Sequence, residues 1–149
     1  YSLANEMGVD LMHEQLSPMG FGRKTEIDVE GEVTGVLPST EWKRRYYKRP
    51  EQQKWYAGET ISLGIGQGYN AFTPLQLANA TATLVSGGQR FKPRLVREIE
   101  DVVTREKRRV AHDALEPLPY KPEHIELLMR AFAAQSSIEW PDLEALLAS

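Results

Sequence analysis

A glycine-rich turn that runs directly into a well-marked helix constrains the fold more than any other part of this sequence. Three glycines stand at alternate positions in this glycine turn: Gly64, Gly66 and Gly68. Thr73 and Pro74 then mark a helix start, because threonine is a good N-cap and proline is tolerated at the first helical position. Gln76 completes a capping box with Thr73. We therefore predict a helix from about Pro74 to Val85, ended by the glycines at 87 and 88.

The apolar residues of this helix form two lines, which predicts burial on most sides. The first line is Leu75, Ala78, Ala82 and Val85. The second line is Leu77, Ala80 and Leu84. We expect the helix to be the most buried element of the chain, with the leucines at 77 and 84 in its core.

Two interpretations of the glycine turn are compatible with its sequence. Glycines let the backbone approach another group closely, and that group could be a ligand phosphate at the start of the following helix. However, the spacing of a dinucleotide site is absent, and no Gly-Lys-Ser/Thr of a phosphate-binding loop follows Gln67 and Gly68. A tight backbone crossing against a neighbouring element is therefore the favoured interpretation.

Composition excludes several classes of protein. With 149 residues the chain is long enough for one domain with a sizeable core, and a net charge of −3 does not indicate nucleic-acid binding. The absence of cysteine excludes disulfides and thiolate metal sites. His13, His112 and His124 show no metal-ligand spacing, so we expect no metal and no cofactor. No apolar run reaches the roughly 20 residues of a membrane span.

The rest of the chain predicts an α+β fold that is mostly helical. A helix should end at Gly8, and Asp10 should cap a second short helix. Residues 25–30 alternate apolar and polar side chains, which predicts a short extended segment. A β-hairpin is predicted over residues 91–111, and a further helix begins at Pro122.

Basic and aromatic residues are interleaved over residues 43–55. The basic members are Lys43, Arg44, Arg45, Lys48, Arg49 and Lys54, and the aromatic members are Tyr46, Tyr47 and Trp55. Such a run can bind nucleic acid, but the negative net charge and the lack of a recognised motif argue against it. A solvated surface loop is the favoured interpretation, and a groove for an anionic polymer or a partner protein stays open.

Several stretches, in this order and spacing, resemble the transpeptidase domain of class B penicillin-binding proteins. They are YSLANEMGVD at 1–10, GFG at 20–22, TEID at 25–28, LPSTEWK at 37–43, WYAGETISLGIGQGY at 55–69 and TPLQ at 73–76. Within that family the resemblance is to the elongation-specific branch, the penicillin-binding protein 2 type. It covers residues 1–132, whereas residues 133–149 diverge and are expected to form a helical tail.

The resemblance implies a serine β-lactamase-like domain that catalyses D,D-transpeptidation in cell-wall cross-linking and cell-shape maintenance. In the family a serine attacks the penultimate D-alanine carbonyl of a peptidoglycan stem peptide; a nearby base activates the serine, and positioned donors stabilise the oxyanion. The implied ligands are stem peptides and β-lactams, and the implied partners are proteins of the cell-elongation machinery. The implied location is the periplasmic face of the bacterial inner membrane.

The three motifs that carry this chemistry in the family are absent from this sequence. It contains no Ser-x-x-Lys, no Ser-x-Asn or Ser-x-Asp, and no Lys-Ser/Thr-Gly. In the family the first two motifs lie just before the residues that match Tyr1, and the third lies beyond the match. We therefore expect an inactive fragment from the middle of the domain, with no catalytic residue. Glu26 stands where the family commonly has glycine, so the turn there is expected to differ.

The residues expected near the cleft of the parent domain are structural: Gly64, Gly66, Gln67, Gly68, Thr73 and Pro74. Because parts of that domain would be missing, exposed strand edges and apolar helix faces are expected to make the chain self-associate. The alternative hypothesis is a non-catalytic interaction module that uses the basic-aromatic loop over residues 43–55.

Overall fold

A computed structural model describes residues 2–136 of the chain. Within this part, six α-helices and four short β-strands form an α+β fold, which confirms the predicted class. The helices are α1 Ser2–Leu16, α2 Thr40–Tyr46, α3 Pro50–Gln53, α4 Ala57–Leu63, α5 Pro74–Val85 and α6 Pro122–Ser136. The strands are β1 Arg90–Phe91, β2 Glu98–Glu100, β3 Lys107–Arg109 and β4 Ala114–Leu115.

The described residues divide into two compact units. The first contains the residues up to Lys24 together with Val33–Leu77. The second contains Thr25–Glu32 together with the described residues from Ala78 onward. The glycine turn therefore belongs to the first unit, and all four strands belong to the second.

α1 consists of two helical segments joined at Gly8. This glycine has a φ of 73° and a ψ of 163°, which is not helical, so the predicted stop is confirmed. The expectation that Asp10 caps the second segment is wrong. Its carboxylate oxygens instead accept hydrogen bonds from the backbone N–H and the hydroxyl of Thr40, each at 2.8 Å. Asp10 thus holds the start of α2, where backbone N–H groups have no partner within the helix.

The basic-aromatic stretch is largely helical, so the prediction of a surface loop over residues 43–55 is wrong for its backbone. Ser39 is the N-cap of α2, and its hydroxyl accepts a hydrogen bond from the Trp42 N–H at 3.0 Å. Arg44 and Arg45 are exposed, as expected of a solvated run. Lys43, in contrast, is only 3% exposed.

α5 begins and ends where the sequence predicts, but a different face is buried. Gln76, Ala80 and Thr83 are at most 3% exposed, and their spacing places them on one side of the helix. Leu77 is 50% exposed and the alanines at 78 and 82 are exposed, so the expectation of two buried apolar lines is wrong. A polar side chain can occupy the inner face because its hydrogen bonds are satisfied there.

The hairpin predicted over residues 91–111 is confirmed. β2 pairs antiparallel with β3, with Ile99 opposite Arg108. β1 pairs antiparallel with β4, with Phe91 opposite Ala114. The second pairing encloses the first along the chain, and we call residues 90–115 the ribbon.

α6 buries one side within the second unit. The buried residues there include Leu118, Ile125, Met129 and Ala133. The Leu118 N–H donates to the carbonyl of Gly88 at 2.8 Å, and a Cβ at Gly88 would collide with the Ile125 side chain. Ile125 and Met129 therefore belong to the buried face of α6, whereas Leu128 and Phe132 remain nearly half exposed.

Residues 25–30 form a closed loop, so the predicted extended segment is wrong. The carboxylate of Glu32 accepts hydrogen bonds from the N–H of Thr25 at 2.6 Å and of Glu26 at 2.9 Å. Glu26 has a φ of 62°. That left-handed conformation suits glycine, and it strains a residue that carries a Cβ.

Two expectations concern the limits of the described chain. Among residues 2–136, no helix has the length and apolar character needed to cross a membrane. The helical tail expected over residues 133–149 overlaps the last turn of α6, and from residue 137 onward it lies outside the described residues.

Candidate functional site

The glycine turn directly follows α4 and is closed by backbone hydrogen bonds. The N–H of Gly66 donates to the carbonyl of Leu63 at 2.9 Å, and the N–H of Gln67 donates to that of Ser62 at 3.0 Å. Gly66 and Gly68 have φ values of 76° and 74°, in the region that only glycine adopts without strain. The turn is therefore a specific, hydrogen-bonded conformation.

Gly64 is required for a different reason. Its φ is −63°, which any residue adopts, but a Cβ at this position would overlap the Cβ of Ala4. α4 therefore ends against α1 with no room for a side chain. The favoured interpretation of the turn, a tight backbone crossing, is confirmed at Gly64.

The start of α5 is occupied by its own side chains. The N–H of Thr73 donates to Gln76 Oε1 at 2.9 Å, and the N–H of Gln76 donates to Thr73 Oγ1 at 3.1 Å, which confirms the capping box. Pro74 has no N–H to offer. The N–H groups of Thr73 and Gln76 are thus engaged by side chains of the cap, which argues against the phosphate interpretation.

Gln76 also ties α5 to two other segments of the first unit. Its Nε2 donates to the backbone carbonyls of Arg23 and Thr34, both at 2.7 Å. A Cβ at Gly35 would lie 2.7 Å from Gln76 Oε1, so a glycine makes room for the amide. With a side chain 1% exposed and three hydrogen bonds, Gln76 fixes where α5 begins.

Lys43 of α2 lies in a cage next to the glycine turn. Its ammonium group forms an ion pair with Glu59 of α4 and donates to the carbonyl of Lys54 at 2.8 Å. The Nζ atom also lies 5.3–5.5 Å from the ring centres of Trp55, Tyr56 and Tyr69. Aromatic faces attract a cation at this distance, so the buried charge is compensated on several sides.

The carboxylate of Glu59 accepts hydrogen bonds from three groups. Besides Lys43, these are the backbone N–H of Tyr56 at 2.8 Å and the hydroxyl of Tyr69 at 2.9 Å. Burial alone would raise the pKa of Glu59, but the hydrogen bonds from Lys43, Tyr56 and Tyr69 outweigh it and hold the pKa below its usual value. Glu59 is thus a carboxylate at neutral pH.

Tyr69 connects this ion pair to the glycine turn, because it follows Gly68 directly in the chain. Hydrogen bonding with Tyr47, burial and the Glu59 carboxylate all raise the pKa of Tyr69. Its phenol therefore stays protonated and acts as a hydrogen-bond donor, not as a base. We call Lys43, Glu59 and Tyr69 the buried clamp.

The chemistry of these residues is that of a scaffold. Ser62, beside the turn, donates to the carbonyl of Gly58 at 3.2 Å, and a carbonyl cannot take a proton from a nucleophile. Within residues 2–136, no group of His, Cys, Asp or Glu could hold a metal ion. The buried clamp fixes the backbone of the glycine turn, and the capping box fixes the start of α5.

Sequence reasoning found the turn and the cap but missed the clamp. Lys43 and Glu59 are 16 positions apart in different helices, and a basic run predicts solvated charges. The available signal was the aromatic residues at 55, 56 and 69, which can shield a buried cation. Because Lys43 is buried, it is not accessible to a partner, which weakens the hypothesis of a contact surface over residues 43–55.

Residues 1–137 match the sequence pattern of the family described as the penicillin binding protein transpeptidase domain. The chain belongs to this family. Relatives in it include the peptidoglycan D,D-transpeptidases MrdA of Haemophilus influenzae, 44% identical over 103 residues, and of Acinetobacter baumannii, 46% identical over 97 residues. The matched regions are 69% and 65% of this chain but only 15% and 14% of the relatives, so the chain spans a small part of their length.

Solved structures of penicillin-binding proteins share the fold. The crystal structure of Pseudomonas aeruginosa PBP2 in complex with WCK 5153 is 35% identical and superposes with a TM-score of 0.62, over 85% of this chain and 27% of that protein. Penicillin-binding protein PBP2 from Helicobacter pylori is 24% identical, with a TM-score of 0.66 over 87% of this chain and 22% of its own. The resemblance to the penicillin-binding protein 2 type is thus confirmed.

Proposed function

We propose that this chain forms non-catalytic scaffold of a peptidoglycan D,D-transpeptidase that acts in cell-wall cross-linking and cell-shape maintenance. The observation that carries the proposal is the family match over residues 1–137, together with relatives that are peptidoglycan D,D-transpeptidases. Residues 1–132 supply the middle of the transpeptidase domain. The serine and its base belong to motifs that this sequence does not contain.

The scaffold role falls on the glycine turn and the start of α5. Their members are Gly64, Gly66, Gln67, Gly68, Thr73 and Pro74, which we propose lie near the active-site cleft of the complete domain. The buried clamp and the amide of Gln76 support this role, because they hold both segments through charged or buried hydrogen bonds. Such support positions the elements that carry catalytic groups, and small displacements of those groups slow a reaction strongly.

The substrates of the complete protein are then peptidoglycan stem peptides, and β-lactams are its inhibitors. Proteins of the cell-elongation machinery are its partners, an assignment supported by a complex between Helicobacter pylori PBP2 and MreC. The active site would face the periplasm from the inner membrane. On its own, the chain is expected to self-associate through apolar side chains of α6 such as Leu127, which is 67% exposed.

Labelling by a fluorescent penicillin tests the function. The region of the Haemophilus influenzae relative that matches this chain is replaced by the chain's own residues, and the chimaera is compared with the isolated chain. We expect the chimaera to label, because it combines this scaffold with a serine, a base and oxyanion donors. The isolated chain should not label, since even one missing oxyanion donor costs about 10²–10³ in rate.

Two variants of the chimaera test the scaffold role. Lys43→Met should slow labelling, because it removes the cation from the buried clamp, whereas Arg45→Met removes an exposed cation of the same helix and should leave the rate unchanged. Equal rates for the two variants would contradict the placement near the cleft. A stoichiometric adduct on a serine of the isolated chain, seen by intact mass, would overturn the proposal of a non-catalytic scaffold.

A further inference from the structure

An open groove lies at the base of the ribbon, in the second unit. It consists of two adjoining clefts of about 610 and 510 Å³ that share Arg94, Arg97 and His112 as lining residues. The first cleft continues along residues 91–95, and the second continues to β3 at Arg109. We call the two clefts together the ribbon groove.

The ribbon groove is strongly cationic. Four of its lining residues carry a positive charge and none carries a carboxylate: Lys92, Arg94, Arg97 and Arg109. The chain as a whole has a net charge of −3, so this concentration of positive charge is a local feature. A cleft lined by one sign of charge raises the local concentration of ligands of the opposite sign.

Arg94 forms the fixed floor of the groove. Its guanidinium donates to the carbonyls of Val110 and Ala111, and it lies 3.1 Å from the ring nitrogen Nε2 of His112. The two carbonyls are uncharged acceptors, so they orient the guanidinium without cancelling its charge. The carboxylate of Asp28 accepts hydrogen bonds from the N–H groups of Leu95 and Val96. These hydrogen bonds, and to a smaller extent the charge of Arg94, lower the pKa of Asp28.

Arg97 and Arg109 are the available cations of the groove. Both are exposed, and in the described part of the chain neither side chain has an ion pair or a hydrogen bond. Three other cations of the ribbon lie near a carboxylate: Lys92 near Glu26 at 3.8 Å, Lys107 near Glu98 at 3.4 Å, and Arg105 near Glu100 at 3.0 Å. Two guanidinium groups without partners therefore face the same cleft from opposite strands.

The wall of the groove alternates charge with apolar surface. Phe91, Pro93 and Leu95 alternate along the chain with the cations Lys92 and Arg94, and all five residues line the first cleft. Leu95 is 69% exposed and Phe91 is 39% exposed. The first cleft therefore offers apolar surface beside its cations.

We propose that the ribbon groove binds an extended acidic peptide segment of a partner protein, a function beyond that of the transpeptidase scaffold. Carboxylates of the peptide pair with Arg97 and Arg109, and its apolar side chains lie against Phe91 and Leu95. Arginine is suited to this role, because its planar guanidinium bonds a carboxylate through two parallel hydrogen bonds.

The test uses the full 149-residue chain and a short fluorescein-labelled peptide in which Glu alternates with Leu and Ser. Binding is followed by fluorescence anisotropy. The double variant Arg97→Gln/Arg109→Gln should weaken binding by at least about tenfold, because it removes two charge-assisted contacts. The matched control is Arg108→Gln, an exposed neighbour outside the groove, which should change the affinity by less than about twofold.

A second peptide with Gln in place of Glu distinguishes charge from apolar contact, and it should bind at least about tenfold more weakly. If Arg108→Gln lowered the affinity as much as the groove variant does, the proposal would be overturned. The general positive charge of the ribbon would then explain the binding. Equal binding of the Gln peptide, or no measurable binding of the Glu peptide, would also overturn the proposal. Inorganic phosphate at the ionic strength of the assay should compete no better than chloride, and selective displacement by phosphate would mark a small-anion site instead.

Discussion

Two basic stretches of this chain look alike in sequence and differ in structure. Residues 43–54 belong to the first unit, where Lys43 is 3% exposed and bound by a carboxylate, a carbonyl and three aromatic rings. Residues 105–109 belong to the ribbon, where the side chain of Lys107 is 58% exposed and its ion pairs lie at the surface. The same residue type therefore serves as an internal tie in one place and as a solvated charge in the other.

The difference shows where each region obtains its stability. The first unit depends on polar groups that are buried and fully bonded, and removing one partner leaves the other without compensation. The ribbon keeps its charges in water, where an ion pair contributes little and its side chains stay available for a ligand. Substitutions in the first unit should therefore lower the free energy of unfolding more than substitutions in the ribbon do.

The largest effect is expected at Gln76. Gln76→Ala leaves two carbonyls and one N–H without their partner inside the first unit, which should lower the free energy of unfolding by about 3–5 kcal/mol. Urea unfolding followed by circular dichroism measures it. The control is Gln67→Ala, the same change at an exposed site, with an expected loss under about 0.5 kcal/mol. If both variants lost a similar free energy of unfolding, the buried hydrogen bonds of Gln76 would not be what stabilises the first unit.

The next prediction compares the stability lost when either of two ion-paired lysines is replaced. Lys43→Met removes one partner of a largely buried ion pair and should cost about 2–3 kcal/mol, somewhat less than for a pair that water cannot reach at all. Lys107→Met removes a surface partner and should cost under about 0.5 kcal/mol. Thermal unfolding of both variants at low and high salt provides the measurement. A loss at Lys107 as large as that at Lys43 would show that the ribbon is not held as described.

A smaller effect is expected at Leu77. Because its side chain is 50% exposed, Leu77→Ala should cost about 1 kcal/mol or less, although the sequence pattern predicts a core residue. Leu63→Ala, at a position 7% exposed, should cost about 2–5 kcal/mol. If the two leucines proved equally costly by urea unfolding, the buried face assigned to α5 would be incorrect.

The smallest expected effect is an increase in the free energy of unfolding. Glu26→Gly should stabilise the chain by about 0.5–1 kcal/mol, because glycine adopts a φ of 62° without strain. Glu26→Ala is the control, since it removes the same side chain but retains the Cβ. A gain shared by both variants would point to the charge of Glu26, and not to its backbone, as the source of the effect.

Local sequence signals predicted where helices begin and end. The features that were missed depend on contacts between segments that are distant in the sequence. Thr73, Pro74 and Gln76 predicted the start of α5, since a cap is read within one turn of helix. The alternation over residues 25–30 failed, because the carboxylate of Glu32 closes that segment into a loop. The pairing of Lys43 with Glu59 could not be predicted from a helical or strand period, because it joins two separate helices.

The contact between Gly64 and Ala4 has a consequence for how this chain can vary. The end of α4 and the side of α1 share a space that holds one methyl group, and Ala4 already fills it. The two positions are therefore a single packing unit, and an added methyl at 64 is tolerated only if the one at 4 is given up. Ala4→Gly should accordingly restore the stability lost by Gly64→Ala. In related sequences, an alanine at position 64 should therefore occur together with a glycine at position 4.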